Sequence, residues 1–389
     1  VRADTPGCRD QVFLDSAGSS LPPVPVLTAM IDHLGREAEV GGYRAAAERA
    51  EDLASVRRSV GRLLGCPTES VALTDSATRA WLQFVAAVPL GAGDRVLITP
   101  VEYASNAIAL LRKVAEAGAS IEVMPGDRHG RVDLEGLEAM LDERVRLVSL
   151  VHAPTNSGLV NPVAEVVALA HHVGALVLLD ACQSVGQMEL DIGALGVDAL
   201  SATGRKWLRG PRGTGFLHVR PELLPTLEPA AADLRGAVWT SPGQYELRSD
   251  ASRFELWESS VAAQLGLGAA VDHLLDLGQD RVEQAVRKLA TQLRASLAEL
   301  SGIVVHDPEP TAGAPELSGI VSFTVAGVDP ARVKDELATV GVTVSVSGAA
   351  STLVDMQAKG LDSVVRASPH YFVTAQQVEE AVSAIRRLG

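Results

Sequence analysis

The sequence predicts an α/β protein, with a mostly parallel central sheet in a large unit and a smaller α+β unit toward the C-terminus. Three observations carry this prediction. Short apolar, β-branched runs recur between residues 70 and 219, helical periodicity fills several of the gaps between them, and the texture changes near residue 255. Apolar runs separated by helices are the mark of βαβ units and a buried parallel sheet.

The strand candidates, in order, are 70–76 ("SVALTDS"), 94–100, 120–126, 145–153, 175–181 ("ALVLLDA"), 197–203 and 213–219. Helices fit at 103–118, 133–142 and 162–173. Ligands collect at the carboxyl ends of such strands, where Ser76 to Thr78, Glu102, Tyr103, Asn156, Asp180 and Gln183 all fall. Beyond 259 a long amphipathic stretch leads to strands near 303–306, 318–325 and 342–346, then to a last helix opening on Thr374 as N-cap. The expected division is 25–255 for the large unit, with 1–24 and 256–389 forming the small one.

The 389 residues carry a net charge of -14, which argues against nucleic acid or an anionic membrane as main partner, since both call for a basic face. Three widely separated cysteines, Cys8, Cys66 and Cys182, form neither a disulfide framework nor a metal-ligand cluster. That usage fits a reducing cytoplasm. No apolar run approaches the roughly 20 residues of a bilayer span, and "VRADTPGCRD" does not read as a signal peptide.

One stretch suggests chemistry: "SATGRKWLRGPRGTGF" (201–216). Lys206 lies among Arg205, Arg209 and Arg212, and positive neighbours and burial both help a lysine to lose its proton. Taken alone, an exposed, solvated lysine is the commoner outcome. Asp180 ends an apolar strand, where a carboxylate is costly unless it meets a positive partner. It caps a helix or pairs with a protonated ring nitrogen, and a lysine with such an aspartate is the recurring requirement for pyridoxal 5'-phosphate (PLP).

"LLDACQSVGQ" followed by "SATGRKWLRGPRGTGF" resembles the class V aminotransferase group of fold-type I PLP-dependent enzymes. This group includes cysteine desulfurases, isopenicillin N epimerase-like proteins and ergothioneine-pathway C–S lyases. The resemblance extends from "FLDSAGSSLP" to "VVRASPHYFVT". It implies Lys206 as the Schiff-base lysine, Asp180 as partner of the pyridine nitrogen and Gln183 as donor to the phenolic oxygen. Thr203 and Arg205 stand where relatives place Ser or Thr and His for the phosphate, and arginine keeps a donor there. In "TDSATRA" (74–80), Ala77 and Thr78 match a phosphate loop at a helix N-terminus; a plain helix cap would look the same. Tyr103 replaces the stacking His of the family, with an aromatic face that serves equally. Asn156 matches an Asn beside the cofactor, at a spacing one residue shorter, or is simply a turn residue. Arg366 matches the arginine that grips a substrate α-carboxylate; its alternative is a surface ion pair.

The pattern also departs from the family. Ala349 and Ala350 stand where desulfurases carry their nucleophilic cysteine, and Trp257-Glu258 replaces a Gly-Thr pair. "REAEVGGYRAAAE" (36–48) is similar to the epimerase-like and C–S-lyase-like branch, with Tyr43 available to a pocket. The resemblance therefore implies an amino-acid substrate and, first, a C–S lyase acting by β-elimination on a cysteine conjugate or its sulfoxide. An epimerase or aminotransferase comes next, and a non-catalytic PLP-fold binding protein is the alternative from another class. A homodimer is expected, because the phosphate site of this fold commonly lies at a subunit boundary.

Overall fold

In a computed structural model that describes residues 1–309 and 316–389, the chain opens with a short strand, β1 (Val12–Phe13). The large sheet follows: β2 (Val71–Thr74), β3 (Arg95–Ile98), β4 (Ser120–Val123), β5 (Val145–Val151), β6 (Leu176–Asp180), β7 (Ala199–Thr203) and β8 (Gly215–Val219). Its spatial order is β2-β8-β7-β6-β5-β3-β4. Strands β7, β6, β5, β3 and β4 run parallel, and β8 alone is antiparallel to its neighbours β7 and β2. The α/β class and the mostly parallel sheet are thus as the apolar runs predict.

The central strands are buried along almost their whole length, and Val148, Leu150, Val177, Leu179 and Leu200 form the floor of one core. Such continuous burial requires cover on both faces. Helices Ala77–Ala87 and Ala104–Ala117 contribute Trp81, Phe84 and Leu110 to the core on one side, and Val163–His172 supplies Val163, Val166 and Val167 on the other. Helix Val261–Leu277 places Leu267, Val271 and Leu274 in the same core as the sheet and packs on helices Val24–Val40 and Ala50–Leu64. Its glycines allow that approach: a Cβ on Gly268 would lie 2.9 Å from a Val56 methyl.

A hairpin, β9 (Ala237–Ser241) and β10 (Gln244–Leu247), stands off the body with Trp239 and Tyr245 exposed. The second core is built on a sheet of four strands: β11 (Ile303–Val305), β12 (Val321–Val325), β14 (Ser345–Gly348) and β15 (Ser363–Ala367), in the order β11-β12-β15-β14. Strand β13 (Val342–Thr343) pairs with β1, so Val12, Phe13 and Leu14 join the C-terminal core. Helix Ala375–Arg386 closes it, with Thr374 and Gln377 forming a reciprocal capping box. Among the described residues no helix is long and apolar enough to cross a membrane.

Candidate active site

The parallel strands deliver their chemistry to one edge. Asp180, the last residue of β6, stands in register with Ser201 of β7, so the turn after β7 brings Thr203, Arg205 and Lys206 to the same end as Asp180. A cleft there is lined by Ala77, Thr78, Tyr103, Thr155, Cys182 and Gln183 as well as these four residues. Lys206 is half-buried in its wall, and the scarcity of water lowers its pKa; Arg205 and Arg366 push the same way, and Asp180 and Cys182 oppose them. An amine that sheds its proton easily is one able to form a Schiff base.

Asp180 is 7% exposed. Its carboxylate accepts hydrogen bonds from the Cys182 amide (2.9 Å) and from Asn106 Nδ2 (2.9 Å). Both donors are neutral, and among the described residues Asp180 makes no ion pair. A buried carboxylate left without a cation is suited to a cationic ligand group, and a protonated pyridine nitrogen is one. Gln183 is oriented by Trp207, whose indole N–H donates to its Oε1 at 2.9 Å. The Gln183 Nε2 reaches Thr155 Oγ1 and the Ala17 carbonyl only at 3.3 and 3.2 Å.

The opposite wall is the N-terminus of helix Ala77–Ala87. Ser76 caps it by accepting from the Arg79 amide, and helix geometry leaves the Ala77 and Thr78 amides without intrahelical acceptors. This turn sits directly on β8, where a Cβ on Gly215 would come within 2.6 Å of the Ser76 carbonyl carbon and 2.7 Å of the Ala77 nitrogen. Only glycine lets the loop settle there. Free helix amides, the Thr78 hydroxyl and the Arg205 guanidinium, one arm of which donates to the Gly18 carbonyl, form a donor set for a phosphate, while the Thr203 hydroxyl reaches the Thr214 carbonyl only at 3.4 Å and can turn to join them. On donor chemistry and on the uncompensated Asp180, these residues fit PLP.

Three expected residues, Asn156, Tyr43 and Arg366, are not among those lining the cleft, and of these Arg366 lies behind Thr155, to which it donates. Asn156 does not line the cleft: its amide donates to Asp355 Oδ2 at 2.6 Å, in the short helix Leu353–Ala358, and Thr155 takes the cleft-facing place. Tyr43 is 87% exposed and lies outside the cleft of its own chain. Arg366, on β15, is 7% exposed and held from three sides. Its NH1 donates to Thr155 Oγ1 (2.7 Å) and to the Thr155 carbonyl, its Nε to Ser345 Oγ, and its NH2 meets Asp15 Oδ1 at 3.2 Å.

Several contributors escaped the sequence reading. Asp15 is the internal counter-charge of Arg366. The Lys206 turn is clamped from the small unit: His370 Nε2 donates to the Trp207 carbonyl, and its ring meets the indole edge-on at 5.3 Å. Buried Arg209 adopts a left-handed backbone (φ 63°). It binds the Leu21 carbonyl, the Tyr371 hydroxyl and Thr5, with its guanidinium 4.7 Å from the Phe372 ring centroid. Glu102 was marked as lying just after a strand, but Asn106 was not, and the connection of both to Asp180 lies in the fold.

The comparisons agree with this geometry. The family model for aminotransferase class-V matches residues 12–381. A probable cysteine desulfurase of Methanothermobacter thermautotrophicus is 30% identical, covering 100% of this chain and 98% of its own length. The apo structure of a cysteine desulfurase from Thermococcus onnurineus NA1 superposes with a TM-score of 0.91 at 27% identity, over 100% of this chain and 97% of the other. A complex of the cystine C-S lyase C-DES with its product cysteine persulfide shares the fold, with a TM-score of 0.87 at 22% identity, covering 98% and 99% of the two chains.

Proposed function

The chain belongs to the aminotransferase class-V family of PLP-dependent enzymes that act on amino acids, and within it we propose a C–S lyase that cleaves a cysteine conjugate or its sulfoxide by β-elimination. The observation that carries this reading is the placement of thiols. The segment 341–355, where the family resemblance sets the persulfide-forming cysteine of desulfurases, holds none; the turn Ala349–Ser351 presents two alanines. Cys182 does line the cleft, but burial, aided by Asp180, pushes its pKa well above the usual thiol value. It stays protonated and is a poor nucleophile. With no thiolate to take the sulfur, C–S cleavage is left to electrons supplied from Cα.

When bound, PLP supplies an electron sink for the bond broken at Cα. The residues of this chain do the rest. Arg366 would bind the α-carboxylate, Ala77, Thr78, Thr203 and Arg205 would hold the phosphate, and Tyr103 offers an aromatic face to the ring. Asp180 keeps a negative charge at the ring nitrogen, with Gln183 at the phenolic oxygen. The Lys206 amine would remove the Cα proton and hold it at Nζ. The Cβ–S bond then breaks with its electron pair leaving on sulfur, as thiolate or sulfenate, which the Nζ proton neutralises. The released aminoacrylate hydrolyses to pyruvate and ammonia. A homodimer is part of the proposal, in which Tyr43, exposed on its own chain, would reach the partner's cleft.

The test is to incubate the PLP-loaded protein with S-alkyl cysteines and their sulfoxides in deuterated water, following pyruvate and Cα–H exchange together. Pyruvate formed in step with thiol or sulfenate supports the lyase. Exchange or racemisation without pyruvate indicates an epimerase, and pyruvate-free conversion of the cofactor to its amine form indicates an aminotransferase; either overturns the lyase.

A further inference from the structure

Beneath the cleft, one amide joins two buried carboxyl groups. Asn106, in the first turn of helix Ala104–Ala117, directs one Nδ2 hydrogen to Asp180 Oδ2 (2.9 Å) and the other to Glu102 Oε1 (3.0 Å). Glu102 Oε1 also accepts from the Tyr103 amide, and Oε2 lies 2.6 Å from the Ser149 hydroxyl of β5. Glu102, Asn106 and Ser149 are 4%, 4% and 0% exposed. Among the described residues neither carboxyl makes an ion pair, and the Lys206 amine is the cation that feels the Asp180 charge.

We propose that Glu102 is a proton-holding positioning residue: through Asn106 its protonation state sets how much negative charge Asp180 presents to the ring nitrogen of the cofactor. The geometry accommodates both states. Ser149 donates to the carboxylate and, by turning its hydroxyl, accepts from the carboxylic acid. Two like charges on one buried amide repel, and a proton held on Glu102, the carboxyl remote from the cofactor's ring nitrogen, relieves that repulsion. Burial, followed at some distance by the Asp180 charge, raises the Glu102 pKa to about 7; Ser149, Asn106 and the Tyr103 amide oppose the rise. Asp180 on β6 is the charged group that acts on Glu102. The groups facing it from β5 and the following helix, Ser149 and Asn106, are neutral, and burial lowers the pKa of His152 after β5 to about 4, so it stays neutral as well. With Glu102 ionised, two negative charges favour the protonated ring; with Glu102 neutral, one does.

This inference rests on Asp180 facing the ring nitrogen. The experiment is a pH titration of the visible absorption of the PLP-loaded protein, without substrate, for wild type, Glu102→Gln, Ser149→Ala and Asp180→Ala. The wild type is expected to show a transition near neutrality that Glu102→Gln lacks. Ser149→Ala, which removes a donor to the carboxylate, moves the midpoint to higher pH; it also serves if Glu102→Gln does not fold. Identical titrations for wild type, Glu102→Gln and Ser149→Ala, beside an Asp180→Ala spectrum that has changed, would overturn the role of Glu102 alone. An Asp180→Ala protein that keeps the wild-type band and titration would overturn the assignment of Asp180 and the relay with it.

Discussion

The two sides of the cleft are built on different principles. On the cofactor side, around Asp180, Lys206 and the Ala77–Thr78 turn, polar groups are left open: a carboxylate that makes no ion pair among the described residues, helix amides without intrahelical acceptors, an amine with a lowered pKa. On the substrate side, Arg366 is already occupied by Asp15, Thr155 and Ser345, and Asn156 is turned away toward Asp355. The first side awaits a ligand of fixed shape. The second carries internal stand-ins that an incoming amino acid must displace or share. Chemistry common to the family resides in the first, and the choice among reactions in the second.

Breaking each side should therefore give a different signature. Arg366→Ala strikes the substrate side: losing one partner of a buried charge pair costs about 3 kcal/mol, so kcat/KM should fall roughly a hundredfold while the cofactor spectrum stays unchanged. Equal losses in cofactor binding would erase the distinction between the sides. Gly215→Ala strikes the cofactor side through packing alone, since its methyl would collide with backbone at Ser76 and Ala77. PLP affinity, read by titration of the apoprotein, should drop about tenfold or more, with KM for the amino acid little altered.

The least localised of these effects is spread over the scaffold. Burial lowers the pKa of His152 and His218 to about 4 and of His370 to about 3. A depressed folded pKa means stability that is intact above the ordinary histidine range and lost as pH falls toward the folded value. His152 and His218 can each contribute up to about 3 kcal/mol and His370 up to about 5 kcal/mol. Melting temperature should decline steadily from about pH 6.5 toward pH 4, and less steeply for His218→Asn, whose side chain lies outside the cleft. A flat profile would show that these histidines ionise without unfolding anything.

The legibility of the sequence follows the same division. The sheet was readable because strands buried on both faces leave continuous apolar runs, and the residues just after them mark its functional edge. Asp180 and Lys206 come to that edge because adjacent strands β6 and β7 place them there. What could not be read depends on contacts between distant segments. Asn106 meets Asp180 across 74 positions, Arg366 meets Asp15 across 351, and no local pattern announces either. Thr155 rather than Asn156 faces the cleft, and Asn156 is held away by Asp355, 199 positions along the chain. Arg209 holds a positive φ that an arginine would not suggest, stabilised by partners drawn from both ends of the chain.

The most direct test of the account is the visible absorption spectrum of the purified, PLP-loaded protein beside that of Lys206→Ala. The account predicts a Schiff-base band in the wild type that is lost or shifted in the variant, which still binds PLP noncovalently through Asp180 and the phosphate donors. A protein that shows no lysine-dependent band when PLP is supplied would contradict it, and the cleft would then have to be read as a binding site without catalysis.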